Sequence, residues 1–315
     1  MQKKPNIISD TANINLKNYS SIKELLLESV KILEHSGIDD AKQNVNLITA
    51  KALGISYTHL PFYWSKPISS SFWKKFIPML ERRLLHEPLQ YILGKWCFLD
   101  LDVNVGSGVL IPRPETEEVF LAAAEYIKAS SLPYNFVFAD IGTGTGILGI
   151  AMAKYFPAST GTLVDISDEA LKIAKRNLMK YSELNKRIKL KKSDLLEGFP
   201  ENSLDVIISN PPYIDSDEIQ NLMPEVLNYE PHLALDGGKD GLCLINELQL
   251  QASKVLKNKG IFVFEHGHGQ RDKIKNLLLP CWTIIKEGND FADKERYFVL
   301  KLEKGKTDYE KDKDS

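Results

Sequence analysis

The chain has little cysteine. Three residues, Cys97, Cys243 and Cys281, are scattered over 315 positions. An odd, dispersed set builds neither a disulfide scaffold nor a zinc site and suits a reducing compartment. No apolar run is long enough to span a bilayer, and the start Met1-Gln2-Lys3-Lys4-Pro5 has no hydrophobic signal core behind it, so a cytoplasmic location is expected. An excess of one charge is missing too. Lys+Arg 40 against Asp+Glu 42 leaves a formal net charge of −2, which offers no basic field to DNA or RNA. The local cluster Lys186, Arg187, Lys189, Lys191 and Lys192 reads as a solvated strand edge. No internal repeat is present. The hydrophobic content of 43% is ample for a packed core, and the length suits roughly two domains.

What is present concentrates at the ends of apolar runs. Asn210-Pro211-Pro212-Tyr213 closes the run Val206-Ile207-Ile208. Two consecutive prolines have no N–H for a strand ladder and present a rigid edge of backbone with outward carbonyls. An Asn side chain, a Pro carbonyl and an aromatic face can grip a planar group bearing –NH2, either an amide or a nucleobase. Alone, the tetrapeptide is equally a turn. Upstream, Phe136-Val137-Phe138-Ala139 reads as a buried strand, followed by Asp140-Ile141-Gly142-Thr143-Gly144-Thr145-Gly146 and a helix through Ile147, Leu148, Ile150, Ala151 and Ala153. Strand, glycine loop, helix is a cofactor-binding context. The next strand, Gly161 to Val164, ends in Asp165, about 20 residues past the loop, where an acid accepts from ribose hydroxyls. Ser167 caps the helix that follows, through Ala170, Ile173, Ala174 and Leu178. The third strand, Ile188-Lys189-Leu190, leads to Asp194, which could accept from an adenine amino group, and Leu195, which could cover the ring. The fourth strand, Asp205 to Ile208, delivers Asn210.

Ligands of open α/β sheets sit at the carboxyl ends of strands. Here four successive ends carry Asp140 with its glycines, Asp165, Asp194 and Asn210. The acids suit a cationic ligand, and no lysine follows the glycines as in a phosphate loop. S-adenosylmethionine, with a sulfonium, a ribose and an adenine, fits. No metal is called for: His266 and His268 stand two apart with no further ligands placed by spacing, and read as loop histidines.

These motifs resemble the protein-(glutamine-N5) methyltransferases of class-1 peptide chain release factors, the HemK or PrmC family, from about His86 to Leu302. The resemblance rests on Glu87 to Ile92 (EPLQYI), Val109 to Glu117 (VLIPRPETE), the glycine loop, Val164 to Ser167, the Asn-Pro-Pro-Tyr, Tyr229-Glu230-Pro231, Leu235 to Leu242 (LDGGKDGL) and Glu265 to Gln270 (EHGHGQ). His266 departs from the pattern, where an aliphatic residue is commoner. Residues 18–85 are similar to the family's helical N-terminal domain in pattern only. The resemblance implies an α/β, Rossmann-like, class I S-adenosylmethionine-dependent methyltransferase with a small N-terminal helical domain joined by a β-hairpin. It implies a substrate, the glutamine of the Gly-Gly-Gln motif of release factors. By the same carry-over, Asn210 and the Pro211 carbonyl bind the glutamine amide within a motif completed by Pro212, with Tyr213 beside it. Gly142, Thr143, Gly144, Thr145, Gly146, Asp165, Leu195 and Asn210 contact the cofactor, and the strand-end reading adds Asp140 and Asp194. A monomer with no stable nucleic-acid or membrane partner is expected.

An amide nitrogen is a poor nucleophile, because its lone pair is delocalised into the carbonyl. Holding both of its hydrogens on Asn210 Oδ1 and the Pro211 carbonyl would orient it for in-line transfer. Positioning of that kind lowers barriers by up to about 7–11 kcal/mol. Tyr213, with an ordinary phenol pKa near 10, is not expected to act as a general base. The alternatives are a glutamine methyltransferase of a ribosomal protein, an exocyclic-amine methyltransferase of flipped bases and a module that holds the cofactor without catalysis. A haem-pathway oxidoreductase finds no flavin or haem signature. Residues 112–117 resemble the release-factor branch more closely, near-neutral charge opposes nucleic acid, and an intact Asn-Pro-Pro-Tyr opposes a non-catalytic module.

The expected organisation is a helical recognition domain over 18–88, a hairpin linker over 89–112, the methyltransferase domain over 113–303 and a disordered tail over 304–315. Ser20 or Ser21 caps a helix whose apolar side includes Ile22, Leu25, Leu26, Val30 and Leu33. Asp39 or Asp40 starts a second that ends at Gly54. Phe72, Trp73, Phe76, Ile77, Leu80 and Leu84 form a third, bent by Pro78, whose aromatics read as core. The hairpin turn is expected around Asn104 to Gly108. Three more strands are expected at 260–264, 283–287 and 297–302, with a helix over 242–256.

Overall fold

The computed structural model describes residues 19–305. The polar start and the last ten residues of the charged tail lie outside them. The chain divides into two units. One takes the chain up to Lys95 together with Met223–Tyr229, and the other takes Trp96–Leu222 and the chain from Glu230 onward.

The first unit is helical: α1 (Ile22–His35), α2 (Ala41–Leu53), α3 (Ser70–Leu84) and the short α4 (Leu89–Leu93), with a 3-10 turn at Tyr57–Tyr63. Ser21 caps α1 by accepting from the Glu24 N–H, while the Glu24 carboxylate takes the Ser20 N–H at 2.8 Å. This is a capping-box arrangement that satisfies otherwise orphaned donors. Gly54 ends α2 in the left-handed conformation, and Ser69 caps α3. Leu25, Leu33, Val45 and Ile48 meet Phe72, Phe76 and Leu80 in one core, with Trp73 and Ile77 partly buried against it. Each such side chain stabilises the unit by about 1.5–3 kcal/mol. A charge also lies in this core. Arg83 is only 3% exposed, donates to Asn44 Oδ1 at 2.7 Å and to the Glu87 carbonyl at 3.0 Å, and pairs with Glu225. The Tyr229 hydroxyl donates to the Leu85 carbonyl at 2.7 Å. These two bonds hold the sequence-distant segment Met223–Tyr229 in the helical unit.

The second unit opens with a hairpin, β1 (Lys95–Phe98) and β2 (Leu101–Asn104). Its turn is Leu99-Asp100, with Leu99 at φ 52°, and not the expected Asn104 to Gly108. That later glycine-rich run is a loop whose Val105, Val109 and Ile111 are buried, so its apolar alternation reflects packing and not strand pairing. Asn177, fully buried, accepts from the Asn104 N–H at 2.6 Å and donates to the Asn104 and Thr145 carbonyls. It thereby ties the hairpin to the glycine loop.

The remaining strands are β3 (Val137–Ile141), β4 (Thr160–Asp165), β5 (Ile188–Lys192), β6 (Leu204–Ser209), β7 (Leu256–Glu265), β8 (Trp282–Asn289) and β9 (Glu295–Leu302). They form one seven-stranded sheet in the order β5-β4-β3-β6-β7-β9-β8. Strands β3 to β7 pair in parallel, and β9 joins β7 and β8 antiparallel. The middle strands, covered on both faces, are continuously apolar, as in Val206-Ile207-Ile208 at 0% exposure. Helices α5 (Pro114–Ala129), α6 (Ile147–Tyr155), α7 (Asp168–Met179), α9 (Cys243–Val255) and α10 (Arg271–Leu277) belong to this unit, while α8 (Pro224–Tyr229) belongs to the helical one. All seven strands and the Rossmann-like α/β class agree with the sequence expectation. The order reverses at β3, whose neighbours β4 and β6 lead away on opposite sides. Such a switch point opens a crevice at the strand ends.

Candidate functional site

That crevice is a cavity of about 440 Å³, within the usual range for small-ligand sites. The glycine loop forms its floor. Gly144 sits at φ 52° and Gly146 at φ 82°, the left-handed region that disfavours side chains. A Cβ on Gly146 would also stand 3.0 Å from the Ala174 Cβ, so α7 packs where only glycine fits. Asp165, ending β4, holds the loop from above: Oδ2 accepts the Gly144 N–H at 2.8 Å and Oδ1 the Ser167 N–H at 2.9 Å. A carboxylate offers about four lone-pair positions, so acceptor capacity remains toward the cavity. Burial pushes the Asp165 pKa up, opposed by those N–H donors.

Gly142, Thr143, Gly144, Thr145, Asp165, Asp194 and Leu195 line the cavity, as do Asn210 and Pro212. Asp194 is exposed at the end of β5 and Leu195 half-buried. Asp140, Gly146, Pro211 and Tyr213 do not line it. Asp140 is fully buried beneath the loop, where Oδ2 accepts the Thr143 hydroxyl at 2.5 Å and the Gly149 N–H at 2.8 Å. Its Oδ1 has no protein partner, and burial raises its pKa to about 7. Its geometry is that of a brace joining β3, the loop and α6.

Register brings the glycine loop and the Asn-Pro-Pro-Tyr together. Ile141 lies beside Ser209, whose hydroxyl donates to the Ile141 carbonyl at 2.8 Å. Gly142 and Asn210 are therefore neighbours at the switch point. The Asn210 amide is held from one side: Nδ2 donates to Thr116 Oγ1 at 3.0 Å, and the Thr116 hydroxyl donates to Glu265 Oε2 at 2.7 Å. The Tyr213 hydroxyl donates to Glu265 Oε1 at 3.0 Å. Asn210 Oδ1 is buried with no protein partner. Glu265, 0% exposed, has its pKa raised to about 7 by burial, against the two hydroxyl donors and Arg296. Burial, then the Glu265 charge, raises the Tyr213 pKa, so the phenol stays protonated.

The backbone after Asn210 rests on the LDGGKDGL segment. The Ile214 N–H donates to the Leu235 carbonyl and the Gly237 N–H to the Ile214 carbonyl. A Cβ on Gly237 would stand 2.8 Å from the Pro212 carbonyl oxygen and from the Tyr213 Cα. Gln270 clamps the same turn, donating to the Tyr213 carbonyl at 2.8 Å and accepting the Gly267 N–H at 2.7 Å. Glu230, buried, accepts the Ile111 N–H at 3.1 Å and pairs with Arg113, which anchors the strand-free stretch before α5.

A methyltransferase small domain matches residues 127–289 and a PrmC N-terminal domain matches residues 24–94. A release factor glutamine methyltransferase of Thermodesulfovibrio yellowstonii is 37% identical over 72% of this chain and 80% of its own length. One of Caulobacter vibrioides is 36% identical over 84% of this chain and 90% of its own. The chain belongs to the release factor glutamine methyltransferase family. Another member, from Clostridium acetobutylicum, is 33% identical over 87% and 96% of the two chains.

The family's chemistry needs a methyl donor, and the cavity fits S-adenosylmethionine. A glycine floor allows close approach, Asp165 keeps free acceptor capacity, and half-buried Leu195 offers an apolar face. Among the described residues, no group of three His, Cys, Asp or Glu side chains could hold a metal. His266 is fully buried, its Nδ1 2.7 Å from the Gly267 carbonyl oxygen, and burial lowers its pKa to about 4, leaving the ring neutral.

Thr116 and Glu265 had no role in the sequence reading beyond their place in family motifs. They stand 94 and 55 residues from Asn210 in the chain, and no local pattern links them. One signal was available for the helix bearing Thr116: Pro114 at its first position, Glu115 and Glu117 in its first turn, then apolar residues at helical spacing.

Proposed function

We propose that the chain transfers a methyl group from S-adenosylmethionine to the side-chain amide nitrogen, N5, of the glutamine in the Gly-Gly-Gln motif of class-1 release factors. The observation that carries this is the buried, unpartnered Asn210 Oδ1. A buried acceptor without a donor is costly, and a substrate –NH2 supplies the missing donor. The names of the family's members support an amide of a release factor over a nucleobase.

When bound, S-adenosylmethionine supplies an electrophilic methyl group. Asp165 would accept from its ribose hydroxyls, Asp194 and Leu195 would hold its adenine, and the glycine loop would let the backbone approach it closely. Asn210 Oδ1 and the Pro211 carbonyl accept the two amide hydrogens, fixing the nitrogen in line. Those same dipoles stabilise the positive charge that develops on nitrogen, a preorganised electrostatic contribution. Tyr213, kept protonated, packs beside the amide and takes no proton; the proton that leaves nitrogen as the N–CH3 bond forms and the S–CH3 bond breaks passes to water. The helical unit recognises the release factor and takes no part in methyl transfer. The protein works in the cytoplasm as a monomer and needs no nucleic acid.

The test is labelled S-adenosylmethionine with release factor, ribosomal protein, DNA and RNA in parallel. Label is expected on the release factor alone. Label on ribosomal protein or nucleic acid with none on release factor refutes the assignment.

A further inference from the structure

An asparagine amide has two ends of opposite character and similar shape. For Asn210 to receive a substrate –NH2, its oxygen must face the substrate. Its NH2 group turned the same way would set donor against donor. Nothing in the sequence of the tetrapeptide selects between the two orientations.

The buried chain behind it does. The bonds run in one direction: Asn210 Nδ2 donates to Thr116 Oγ1, and Thr116 donates to Glu265 Oε2. A hydroxyl carries one proton. If that proton is committed to a carboxylate, Thr116 faces Asn210 only as an acceptor, so Asn210 must present its NH2 to Thr116 and its oxygen to the other side. Tyr213 adds a second donor to the same carboxylate at 3.0 Å. Glu265 ends β7, Thr116 lies in the first turn of α5, and Asn210 follows β6, so three elements converge on one polarity. We propose that Thr116 and Glu265 are positioning residues that fix which end of the Asn210 amide faces the substrate. This rests on the reading of Asn210 as the amide-binding residue.

The arrangement has a consequence for protons. Protonated on Oε2, Glu265 becomes a donor to Thr116. Thr116 then turns its own proton toward Asn210, and the Asn210 amide reverses to offer it an oxygen. The NH2 group now faces the substrate and binding of the amide fails. The groups facing Glu265 are Arg296 from β9, which favours the ionised form, Glu115 from α5, which disfavours it, and the two hydroxyls of Thr116 and Tyr213, which favour it. Burial is the largest influence, and the pKa lies at about 7. The active orientation belongs to the ionised form, so it is present above that value and lost as pH falls through it.

The experiment uses the full chain. Thr116→Val keeps the shape and removes the hydroxyl. At saturating S-adenosylmethionine it is expected to slow single-turnover methylation of release factor about ten- to a hundredfold, the range for one buried bond lost. Thr116→Ser restores the hydroxyl and is expected to recover at least about tenfold of that loss. In wild type the rate falls as pH drops through about 7. In Glu265→Gln, which can still accept from Thr116 through its oxygen, that acid limb is reduced to whatever Asp140, also raised to about 7, contributes. Equal rates for Thr116→Val and wild type, equal rates for the Val and Ser variants, or an acid limb unchanged in Glu265→Gln would each overturn the proposal. A readout independent of turnover is the side-chain NH2 resonance pair of Asn210 in asparagine-labelled protein. It is expected to titrate near pH 7 in wild type and not in Glu265→Gln, and a titration identical in both overturns the proposal. Wild type that leaves release factor unmodified counts against the substrate assignment, and the resonance titration still decides the positioning claim.

Discussion

Asp165 is the residue on which cofactor affinity should depend most, and Asp165→Ala tests two functions at once. The carboxylate accepts the Gly144 N–H at 2.8 Å and the Ser167 N–H at 2.9 Å, and its remaining lone pairs are assigned to ribose hydroxyls. A hydrogen bond to a charged acceptor contributes about 1.5–3 kcal/mol. Loss of the ribose bonds alone should raise the dissociation constant for S-adenosylmethionine about ten- to a hundredfold, at about 1.4 kcal/mol per tenfold. Freeing Gly144 relaxes a loop whose backbone is held at positive φ, so the melting temperature falls as well. Asp165→Asn separates the two effects. Its single carbonyl oxygen can serve only one of the two N–H donors, so affinity should lie between alanine and wild type. The assay is titration calorimetry on protein first shown to be folded by its melting curve. An unchanged dissociation constant for folded Asp165→Ala would refute the placement of the ribose at Asp165.

Asn210→Ala should leave folding and cofactor affinity intact and lower the single-turnover rate about a hundredfold or more, as loss of a preorganised dipole does; a rate within a few-fold of wild type would mean that another group holds the amide. Arg83→Met should cost about 3 kcal/mol, because Asn44 and Glu225 lose their buried partner, and a denaturant midpoint equal to wild type would contradict it. Stability should carry a signature of Glu265. Its folded pKa is raised from 4.5 to about 7, so the native state binds the proton more tightly than the unfolded chain, and its contribution falls as pH rises from about 4 to about 7. Melting of Glu265→Gln relative to wild type should therefore improve over that interval, and a constant difference would show that folding does not raise the Glu265 pKa. A chain starting at Trp96 should methylate intact release factor poorly and a short glutamine peptide comparatively well, provided circular dichroism shows it folded. Equal rates on release factor for the folded fragment and the full chain would remove the helical unit from recognition.

The parts legible in the sequence are those with a local physical signature. The central strands β3, β6 and β7 carry short apolar runs that lead to a polar residue, and parallel strands buried on both faces must read that way; the edge strand β5 alternates with lysines instead. The glycine loop announced itself because positive φ and close packing admit little else. Pro211 and Pro212 marked a strand end because they cannot donate. The parts that stayed hidden depend on contacts between distant residues. Nothing near Arg83 shows that a core arginine will meet Glu225, 142 positions away, or that Met223–Tyr229 will leave the surrounding fold for the helical unit. The hairpin turn was misplaced because Asn104 to Gly108 has turn composition, while the actual turn uses Leu99 at φ 52°, a residue that propensity would not choose. Thr116 and Glu265 were quoted for their motifs, but their chemistry emerged only when α5 and β7 brought them behind Asn210.

The central claim is that the oxygen of Asn210 receives the glutamine amide of a release factor. The most direct measurement is tandem mass spectrometry of class-1 release factor after incubation with this protein and S-adenosylmethionine, beside the same reaction with Asn210→Ala. The account predicts one added methyl group on the side-chain nitrogen of the Gly-Gly-Gln glutamine, absent with the variant. A methyl group at any other residue, or the same methylation at an undiminished rate with Asn210→Ala, would contradict it.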